Sequence, residues 1–486
     1  MNTQIRRVAF AVLLMFAAVF LKLNWIQLVR AEELANHPSN TRLLLKEYAI
    51  ARGAILTSDN QILAQSKKTP QGELKYLRLY EQGPLFAHIT GYYSVRFGRT
   101  GIERAFNSEL VGKGGVITIQ DLGDRLTSEG ERGDDVVLSI DSRMQQAAAQ
   151  ALGSRRGAVV ALEPSSGRII AMYSSPNFDP NPLSQHSADG QKQAWQSLNA
   201  DAAKPLLSRA TGSIYAPGST FKLVTAAAAL ESGRGPDTTF GDAKEYLPPQ
   251  TDKPMGNFGG STCGGDMAQA LKVSCNTYFA RLGAELPRGA LEKTARAFGF
   301  GERPPLETTV AASRLPTGEQ LKSPAFAAQS AIGQFDVAAT PLQMALVAAG
   351  IGNGGNVPEP RLVIEVRDSR GKVIDQVDSK IWRQAVSSQT ADTLKQMMIA
   401  VVEDGTGQAA AIGGVAIAGK TGTAQVGATG EDNLAWFVAF APADSPKIAL
   451  AVVVEGAGDP RSETGGRLAA PIAKKVLEAH RGVAGW

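Results

Sequence analysis

The longest apolar run in the chain lies near its amino end and predicts a membrane-spanning helix. Apolar residues are unbroken over positions 8–21 and continue, interspersed with polar residues, to Val29. A helix over 8–29 would be about 33 Å long, which is enough to cross the hydrocarbon core of a bilayer. We therefore predict a cytoplasmic tail at 1–7 and a transmembrane anchor at 8–29.

A cleaved signal peptide is the alternative for this segment. The run is followed by Lys22, Trp25 and Gln27, whereas a signal peptide ends in small residues at its cleavage site. The sequence therefore favours an uncleaved anchor. Because Arg6 and Arg7 precede the run, the positive-inside rule places them in the cytoplasm and the rest of the chain on the outer side of the membrane.

From about residue 30 to 135 the pattern changes to short apolar runs separated by charged residues, glycines and turn residues. Arg52–Leu56 and Gln61–Ala64 have the composition of strands and flank Ser58–Asn60, which is a turn sequence. No grouping of catalytic residue types occurs in this region. We predict a small β-rich domain over 30–135.

The pattern from 136 to 486 predicts a larger α+β domain. Runs typical of strands occur near both of its ends, at 157–162, 168–173, 415–425, 434–440 and 447–455. Helical patterns lie around and between them, at 142–152, along the insert 212–402 and at 471–480. Strands from the two ends of a domain pair in one sheet when helices occupy the sequence between them. One central sheet with a mostly helical insert is therefore expected.

Composition narrows the function without identifying it. The 486 residues are 43% hydrophobic and 20% charged, which is typical of a globular chain of two or three domains. The net charge of +4 is spread along the chain without a basic run, so no nucleic-acid partner is expected. Four histidines and two cysteines show no metal, haem or iron–sulfur spacing, so no metal and no cofactor are predicted.

Ser219 and Lys222 are the first candidates for chemistry. Pro217 and Gly218 end one segment, and an alanine-rich helix is predicted to begin near Thr220. Residues three apart share a helix face, so the Lys222 amine lies within reach of the Ser219 hydroxyl. A lysine in a dry pocket near other cations is neutral enough to activate a serine. The helix amino terminus adds N–H groups that stabilise an oxyanion.

This spacing alone is weak evidence. Ser369 and Lys372 repeat it in a polar turn, where a hairpin loop is the simpler interpretation. For Ser219 the simpler alternative is an N-cap serine beside a surface lysine. The balance changes only because further motifs follow Ser219 in a set order.

Those motifs are Ser274-Cys275-Asn276 and Lys420-Thr421-Gly422-Thr423. The order Ser-x-x-Lys, Ser-x-Asn, Lys-Thr-Gly is that of penicillin-binding proteins and class A β-lactamases. The chain resembles a class B penicillin-binding protein, a monofunctional D,D-transpeptidase, in seven segments: Arg52–Ile55, Gly101–Glu103, Tyr215–Lys222, Gly333–Gln334, Thr340–Gln343, Asp404–Gly407 and Gly419–Gln425. Its size and short amino-terminal domain are most similar to those of the actinobacterial elongation or division transpeptidases.

The resemblance implies a penicilloyl-serine transferase fold with a central antiparallel sheet. The transpeptidase domain would span 136–486 and stand on a pedestal formed by 30–135. Such an enzyme crosslinks peptidoglycan stem peptides that end in D-Ala-D-Ala, and β-lactam antibiotics acylate it. A glycosyltransferase module would need far more chain before Ser219, so the resemblance also implies a partner, a multi-span membrane glycan polymerase.

The resemblance also implies a role for each catalytic residue. Ser219 would be the nucleophile and Lys222 its base. Ser274 would relay a proton to the leaving nitrogen, and Asn276 would hold Lys222 and the substrate amide. Lys420 would bind the substrate carboxylate and keep Lys222 neutral by repulsion between like charges.

Thr421, Gly422 and Thr423 are expected to bind substrate. An edge strand offers unpaired backbone groups, so an extended stem peptide can lie along it as an added strand. Gly422 would permit close approach. The Thr423 N–H would join the Ser219 N–H as the oxyanion donors.

Three other functions stay open. A class A β-lactamase carries a glutamate followed four residues later by asparagine, and no glutamate between Ser274 and Lys420 has that neighbour. A D,D-carboxypeptidase transfers the acyl group to water, and the sequence does not separate water from an amine as acceptor. A non-catalytic β-lactam sensor or scaffold would only bind, although sensors usually carry more membrane spans than one.

Cys263 and Cys275 are twelve positions apart, and Cys275 lies inside the second motif. In an extracytoplasmic domain a disulfide between them would persist and would hold Ser274 and Asn276 in place. Two buried free thiols fit the sequence equally well.

Overall fold

The computed structural model describes residues 2–28, 30, 47–70, 74–112, 132–316, 318–426, 432–456 and 463–486. Val29, which ends the predicted anchor, lies outside these ranges. So do residues 31–46, 71–73 and 113–131 of the predicted pedestal.

The helices in the described ranges are α1 Asn2–Leu28, α2 Gly83–Thr90, α3 Gly101–Ala105, α4 Asn107–Leu110, α5 Ser142–Leu152, α6 Asn181–Ser184, α7 Ala188–Ala200, α8 Lys222–Glu231, α9 Met267–Lys272, α10 Asn276–Glu285, α11 Ala290–Ala297, α12 Pro324–Ala331, α13 Pro341–Gly352, α14 Ser388–Asp404 and α15 Ala470–Ala484. Short 3₁₀ turns occur at Gly218–Phe221, Phe258–Gly260, Gln320–Lys322 and Gln408–Ala410, and a π-helical turn at Gly465–Ala469.

The strands in the described ranges are β1 Ile55–Leu56, β2 Ile62–Lys68, β3 Tyr76–Tyr80, β4 Tyr93–Ser94, β5 Gly98–Arg99, β6 Asp135–Leu138, β7 Gly157–Leu162, β8 Ile169–Ser175, β9 Phe240–Ala243, β10 Glu245–Tyr246, β11 Met255–Gly256, β12 Cys263–Gly265, β13 Asn356–Pro358, β14 Val363–Arg367, β15 Val373–Gln376, β16 Ile381–Gln384, β17 Ala418–Val426, β18 Asp432–Ala441 and β19 Ile448–Glu455.

A five-stranded antiparallel sheet in the order β17-β18-β19-β7-β8 forms the centre of the larger domain. β19 pairs with β7, so the two ends of the domain meet in one sheet. The prediction of a single central sheet with a mostly helical insert is confirmed. β17, which carries the Lys-Thr-Gly motif, is an edge strand of this sheet.

Both faces of the central sheet are buried, and the alternation along β18 explains how. Trp436 and Phe440 belong to the hydrophobic cluster that includes α8 and α13. Phe437 belongs to the opposite cluster, with α5 and α15. Successive side chains of a strand point to opposite faces, so one apolar strand supplies both layers. α13 is buried around nearly its whole circumference, as expected for a helix that is apolar on every side.

The smaller sheet has the order β15-β14-β6-β1-β2-β3. β1 and β2 pair around the predicted Ser58–Asn60 turn. The hairpin β14–β15, which holds the Ser369 turn, comes from the insert of the larger domain and pairs with β6. The predicted boundary between residues 135 and 136 falls inside β6, so the two predicted domains share this sheet.

A buried ion cluster joins Arg52 and Glu103, which lie in two of the pedestal segments that carry the family resemblance. The Glu103 carboxylate accepts hydrogen bonds from Arg52 at 2.8 Å and from Arg78 at 2.6 Å, and all three side chains are buried. Burial alone would raise the pKa of Glu103, but the two arginines hold it below its usual value. The carboxylate therefore stays charged, with each of its oxygens paired to an arginine.

α1 is long and apolar enough to cross a membrane. The most apolar stretch within Thr3–Gln27 has a mean hydropathy of 2.1, and none of its residues is buried against the rest of the protein. A single-pass membrane anchor accounts for this exposed apolar surface.

Candidate active site

Ser219 lies in a 3₁₀ turn, Gly218–Phe221, which leads directly into α8. The α-helix that was predicted to begin near Thr220 begins at Lys222, and Ser219 lies in the helical turn just before it. Gly218 has a φ of +52°, a conformation that favours glycine. The Ser219 side chain is half-buried, and within the described ranges it makes no hydrogen bond. Its hydroxyl is therefore free to rotate towards a base or a substrate.

Close backbone packing fixes the position of the Ser219 turn. The Gly218 N–H donates to the carbonyl oxygen of Gly333 at 3.1 Å. A Cβ on Gly333 would lie 2.1 Å from the Gly218 oxygen, and a Cβ on Gly422 would lie 2.9 Å from the Pro217 oxygen. The predicted close approach at Gly422 is thus made, in this structure, by the serine turn itself.

Lys222 is fully buried in the first turn of α8. Its Nζ donates hydrogen bonds of 2.7 Å to the Ser274 carbonyl oxygen and 2.7 Å to Asn276 Oδ1. Burial lowers the pKa of Lys222 well below its usual value, and the charge of Lys420 lowers it further. A dry pocket and repulsion by Lys420 were both expected to lower this pKa, and of the two causes burial is the larger. A neutral Lys222 amine would donate its two N–H groups to these oxygens, and its lone pair would stay available to accept a proton.

Ser274 lies between the two lysines. Its backbone has a φ of +59°, which is uncommon for a residue with a Cβ. Lys420 Nζ donates to Ser274 Oγ at 2.8 Å, and Lys222 Nζ lies 3.4 Å from the same oxygen. The strained turn between α9 and α10 therefore places one hydroxyl in contact with both amines, as a proton relay requires.

Lys420 is fully buried at the start of the Lys-Thr-Gly motif on β17. Its Nζ also donates to the Thr421 carbonyl oxygen at 2.9 Å. Burial lowers the pKa of Lys420 to about 7. Lys420 is thus partly charged at neutral pH, and a substrate carboxylate would favour its charged form.

The structure brings Lys222, Ser274, Asn276 and Lys420 into one hydrogen-bonded cluster. The predicted hydrogen bond between Lys222 and Ser219 is not made, because the Lys222 amine is held by the 274–276 turn. Catalytic hydrogen bonds are often long in a free enzyme and tighten when substrate binds.

The side chains of the two threonines in this motif also have hydrogen-bond partners. Thr421 Oγ1 is hydrogen-bonded to Thr406 Oγ1 at 2.6 Å. Thr423 Oγ1 accepts the Gly465 N–H at 3.2 Å. Across the described ranges, no group of three or more His, Cys, Asp or Glu side chains could hold a metal ion.

Cys263 and Cys275 form a disulfide, with their Cα atoms 5.9 Å apart. Cys263 lies in β12, and Cys275 immediately precedes α10. The bond ties the small strands β9–β12 to the 274–276 turn. Of the two states that the sequence left open, the structure has the bridged one.

Alkylation of the denatured full chain is expected to add no label before reduction and two labels after it. Intact mass measures both numbers, and two labels before reduction would contradict the bridge.

Replacing both cysteines by serine is expected to lower the free energy of unfolding by about 3 kcal/mol, because the bridge closes a short loop in the unfolded chain. Chemical denaturation under oxidising conditions measures that loss.

Three positioning groups were missed by the sequence analysis. Thr406 holds Thr421, and Asn257 holds the start of α10. Glu455, at the end of β19, accepts hydrogen bonds from Arg209 and from Tyr215, which fixes the segment that leads to Ser219. Thr406 lies in the Asp404–Gly407 segment that carries the family resemblance, but no role was predicted for it. Asn257 and Glu455 carry no local pattern, since each acts through a partner distant in sequence.

Comparison with known proteins agrees with this geometry. The sequence model of the penicillin binding protein transpeptidase domain matches residues 157–478, and that of the penicillin binding protein A dimerisation domain matches residues 52–136. The chain belongs to the penicillin-binding protein transpeptidases. It is 42% identical to the peptidoglycan D,D-transpeptidase PbpA of Mycolicibacterium smegmatis, over 99% of each chain.

Solved structures place the chain in the same group. Penicillin-binding protein A of Mycobacterium tuberculosis, as a ceftriaxone acyl-enzyme, superposes with a TM-score of 0.84 at 40% identity, covering 90% of this chain and 99% of that one. Its penicillin G acyl-enzyme superposes with a TM-score of 0.82 at 39% identity, covering 89% and 99%. The predicted family and the penicilloyl-serine transferase fold are confirmed.

The two buried lysines predict how acylation of this transpeptidase depends on pH. Lys222 must be neutral to accept a proton, so the rate falls as the pH drops through its lowered pKa. Lys420 must be charged to bind a carboxylate, so the rate falls as the pH rises through its pKa of about 7. A bell-shaped profile is expected for the second-order constant of acylation by a fluorescent penicillin between about pH 5 and pH 9. A flat profile would contradict both assignments.

Proposed function

We infer that this chain is a serine D,D-transpeptidase that crosslinks peptidoglycan stem peptides and is acylated by β-lactams. One observation carries the proposal. A half-buried, unbonded serine starts a helix whose buried lysine shares a hydroxyl with a second buried lysine on an edge strand. These are a nucleophile, a base with a depressed pKa, a relay and a carboxylate-binding cation in one cleft.

In the first step Ser219 Oγ attacks the carbonyl carbon of the penultimate D-alanine. The hydroxyl proton passes to the neutral Lys222 amine, directly or through Ser274. The new C–O bond replaces the C–N bond of the terminal D-alanine, and Ser274 delivers a proton to the leaving nitrogen. The N–H groups of Ser219 and Thr423 stabilise the oxyanion.

In the second step an amine of a neighbouring stem attacks the ester. The C–N bond forms, Ser219 leaves with a proton, and a crosslink results. β17 supports binding of an extended stem peptide because it is an edge strand, and Lys420 lies at its start to bind a carboxylate. Thr421, Gly422 and Thr423 form the substrate-binding part of this strand, and Asn276 holds the substrate amide beside Lys222.

The arrangement of the whole chain follows the same proposal. Residues 1–7 are a cytoplasmic tail, 8–29 the anchor, 30–135 the pedestal and 136–486 the transpeptidase domain, which lies outside the cell membrane. Arg6 and Arg7 before the apolar run support this orientation. A multi-span membrane glycan polymerase would supply the glycan strands and lie beside α1.

A transfer assay tests the proposed reaction. The full chain in detergent is mixed with a pentapeptide ending in D-Ala-D-Ala and with an excess of an amine acceptor, and the products are separated by mass. If the acyl group passes to the amine, the native protein is expected to give the crosslinked peptide, and Ser219→Ala is expected to give no product. Release of D-alanine with only the shortened peptide would identify a D,D-carboxypeptidase. A protein that binds penicillin but turns over no peptide would be a non-catalytic sensor or scaffold.

A further inference from the structure

Asn257 is a buried polar residue that belongs to none of the three motifs. It lies between β11 and the 3₁₀ turn Phe258–Gly260 and is 8% exposed. A buried amide is costly unless each of its polar atoms is paired. Both the oxygen and the nitrogen of the Asn257 side chain form hydrogen bonds, and their partners indicate what the residue does.

The oxygen of Asn257 acts as a helix cap supplied from a distant segment. Asn257 Oδ1 accepts the N–H groups of Asn276 and Thr277, each at 2.9 Å. These are the first two N–H groups of α10, and the helix has no cap from its own N-cap residue, Cys275. The first N–H groups of a helix need such acceptors. Asn257 therefore fixes where α10 begins.

The nitrogen of Asn257 locks the orientation of the amide. Nδ2 donates to the Ala243 carbonyl oxygen at 2.8 Å and the Ser261 carbonyl oxygen at 3.0 Å, and lies 3.2 Å from Thr277 Oγ1. Two carbonyl oxygens accept only from a nitrogen, so the amide cannot flip without losing both bonds. Oδ1 is thereby held towards α10.

The residue that begins α10 is Asn276, which holds the base. Asn276 Oδ1 accepts from Lys222 Nζ at 2.7 Å, and Asn276 Nδ2 donates to the Gly256 carbonyl oxygen at 3.2 Å. Gly256 and Asn257 thus hold Asn276 at its side chain and at its backbone. The path from Asn257 to the Lys222 amine passes through this one residue.

We propose that Asn257 is a positioning residue for acyl transfer: by capping α10 it orients Asn276 and, through Asn276, the amine of Lys222. The inference rests on the proposed function, because it assumes that Lys222 is the base. Asn257 does not touch the reacting atoms. Its loss leaves the Cys263–Cys275 bond in place, so the small strands stay attached while Asn276 is released.

Two substitutions separate positioning from general stability. Asn257→Ala removes the cap, and the acylation constant is expected to fall by about 10- to 100-fold, because small misplacements of catalytic groups have effects of that size. Asn257→Asp keeps an acceptor for both N–H groups, loses the donor to the Ala243 and Ser261 carbonyl oxygens, and adds a negative charge near Lys222. That charge favours the ammonium form, so the acid limb of the pH profile is expected to move up by about 0.5 to 1 pH unit.

The matched control is Asn353→Ala. Asn353 is half-buried, and its side chain donates within its own turn to the Asn356 carbonyl oxygen at 3.0 Å. It follows α13 and makes no hydrogen bond to a motif residue. This variant is expected to lose stability while keeping the native acylation constant and pH profile.

The experiment compares full-length proteins in detergent, with acylation by benzylpenicillin followed across pH and thermal unfolding measured beside it. Slower acylation in Asn257→Ala, or a shifted acid limb in Asn257→Asp, with native kinetics in Asn353→Ala, supports the proposal. Folded Asn257 variants with native constants and native profiles would overturn it. If Asn257→Ala does not fold, the aspartate variant decides alone. A native protein that is never acylated would overturn the proposed function as well, and would be recognised before any variant is compared.

Discussion

Replacement of Lys222 by methionine is expected to slow acylation by benzylpenicillin by about 1,000-fold. Methionine fills a similar volume but cannot accept the Ser219 proton. Burial lowers the pKa of Lys222 in the folded protein, so unfolding takes up a proton at neutral pH and the lysine favours the unfolded state. The variant should therefore react far more slowly, and its unfolding temperature should depend less on pH than that of the native protein.

Lys272→Met is the control for this experiment. Lys272 ends α9, two residues before Ser274, and its Nζ pairs with Asp404 at 3.0 Å near the surface. Its replacement should leave the acylation constant within about two-fold of the native value, because an exposed ion pair contributes little. Stopped-flow or gel-based acylation gives the constants, and calorimetry gives the stability. A native rate in Lys222→Met would exclude this residue as the base.

Gly333→Ala is expected to abolish acylation and to lower the free energy of unfolding by about 3 kcal/mol or more. Gly333 has a φ of +72°, and its added Cβ would lie 2.1 Å from the Gly218 carbonyl oxygen. Neither backbone can yield without displacing the turn that holds Ser219. The site and the fold are therefore damaged together.

Gly414→Ala separates the two causes of that loss. Gly414 has a similar φ of +78°, but an added Cβ would meet no atom within 4 Å. It should cost only the strain of a left-handed alanine, about 1 kcal/mol, and acylation should stay native. Urea denaturation and a fluorescent penicillin measure the two quantities. If both alanine variants behaved alike, the contact with Gly218 would not matter.

The central sheet could be predicted from the sequence because its information is local. The two-residue alternation of β18 and the apolar run of β19 identify strands wherever they lie. α5 begins at Ser142 and ends at Leu152, as predicted. The Asp141 side chain caps its first N–H groups, and Gly153 follows its last turn. In each case the residues that decide the element lie within it or beside it.

The lowered pKa of Lys222 could be predicted from the sequence, but the contacts that join the motif residues could not. The depressed pKa of Lys222 depends mainly on complete burial, which is a property of the folded domain. The sharing of Ser274 Oγ by two lysines depends on the left-handed turn at Ser274 and on where β17 passes it. Resemblance to the family gave the candidate residues, and the structure supplies their burial and hydrogen bonds.

Features that rest on long-range pairing were missed. The hairpin β14–β15 completes the pedestal sheet across more than two hundred residues of sequence, and no pattern in the hairpin names its partner. Asn257 caps a helix that begins nineteen residues later, and an asparagine in a polar loop looks like any turn residue.

Intact mass of the full chain after exposure to benzylpenicillin shows whether Ser219 is the residue that is acylated. The native protein is expected to gain one penicilloyl group that persists, Ser369→Ala to gain it equally, and Ser219→Ala to gain none. Ser369 serves as the control because it precedes Lys372 with the same spacing but lies in a hairpin of the smaller sheet. A stable adduct on Ser219→Ala, or none on the native protein, would contradict a Ser219 acyl-enzyme.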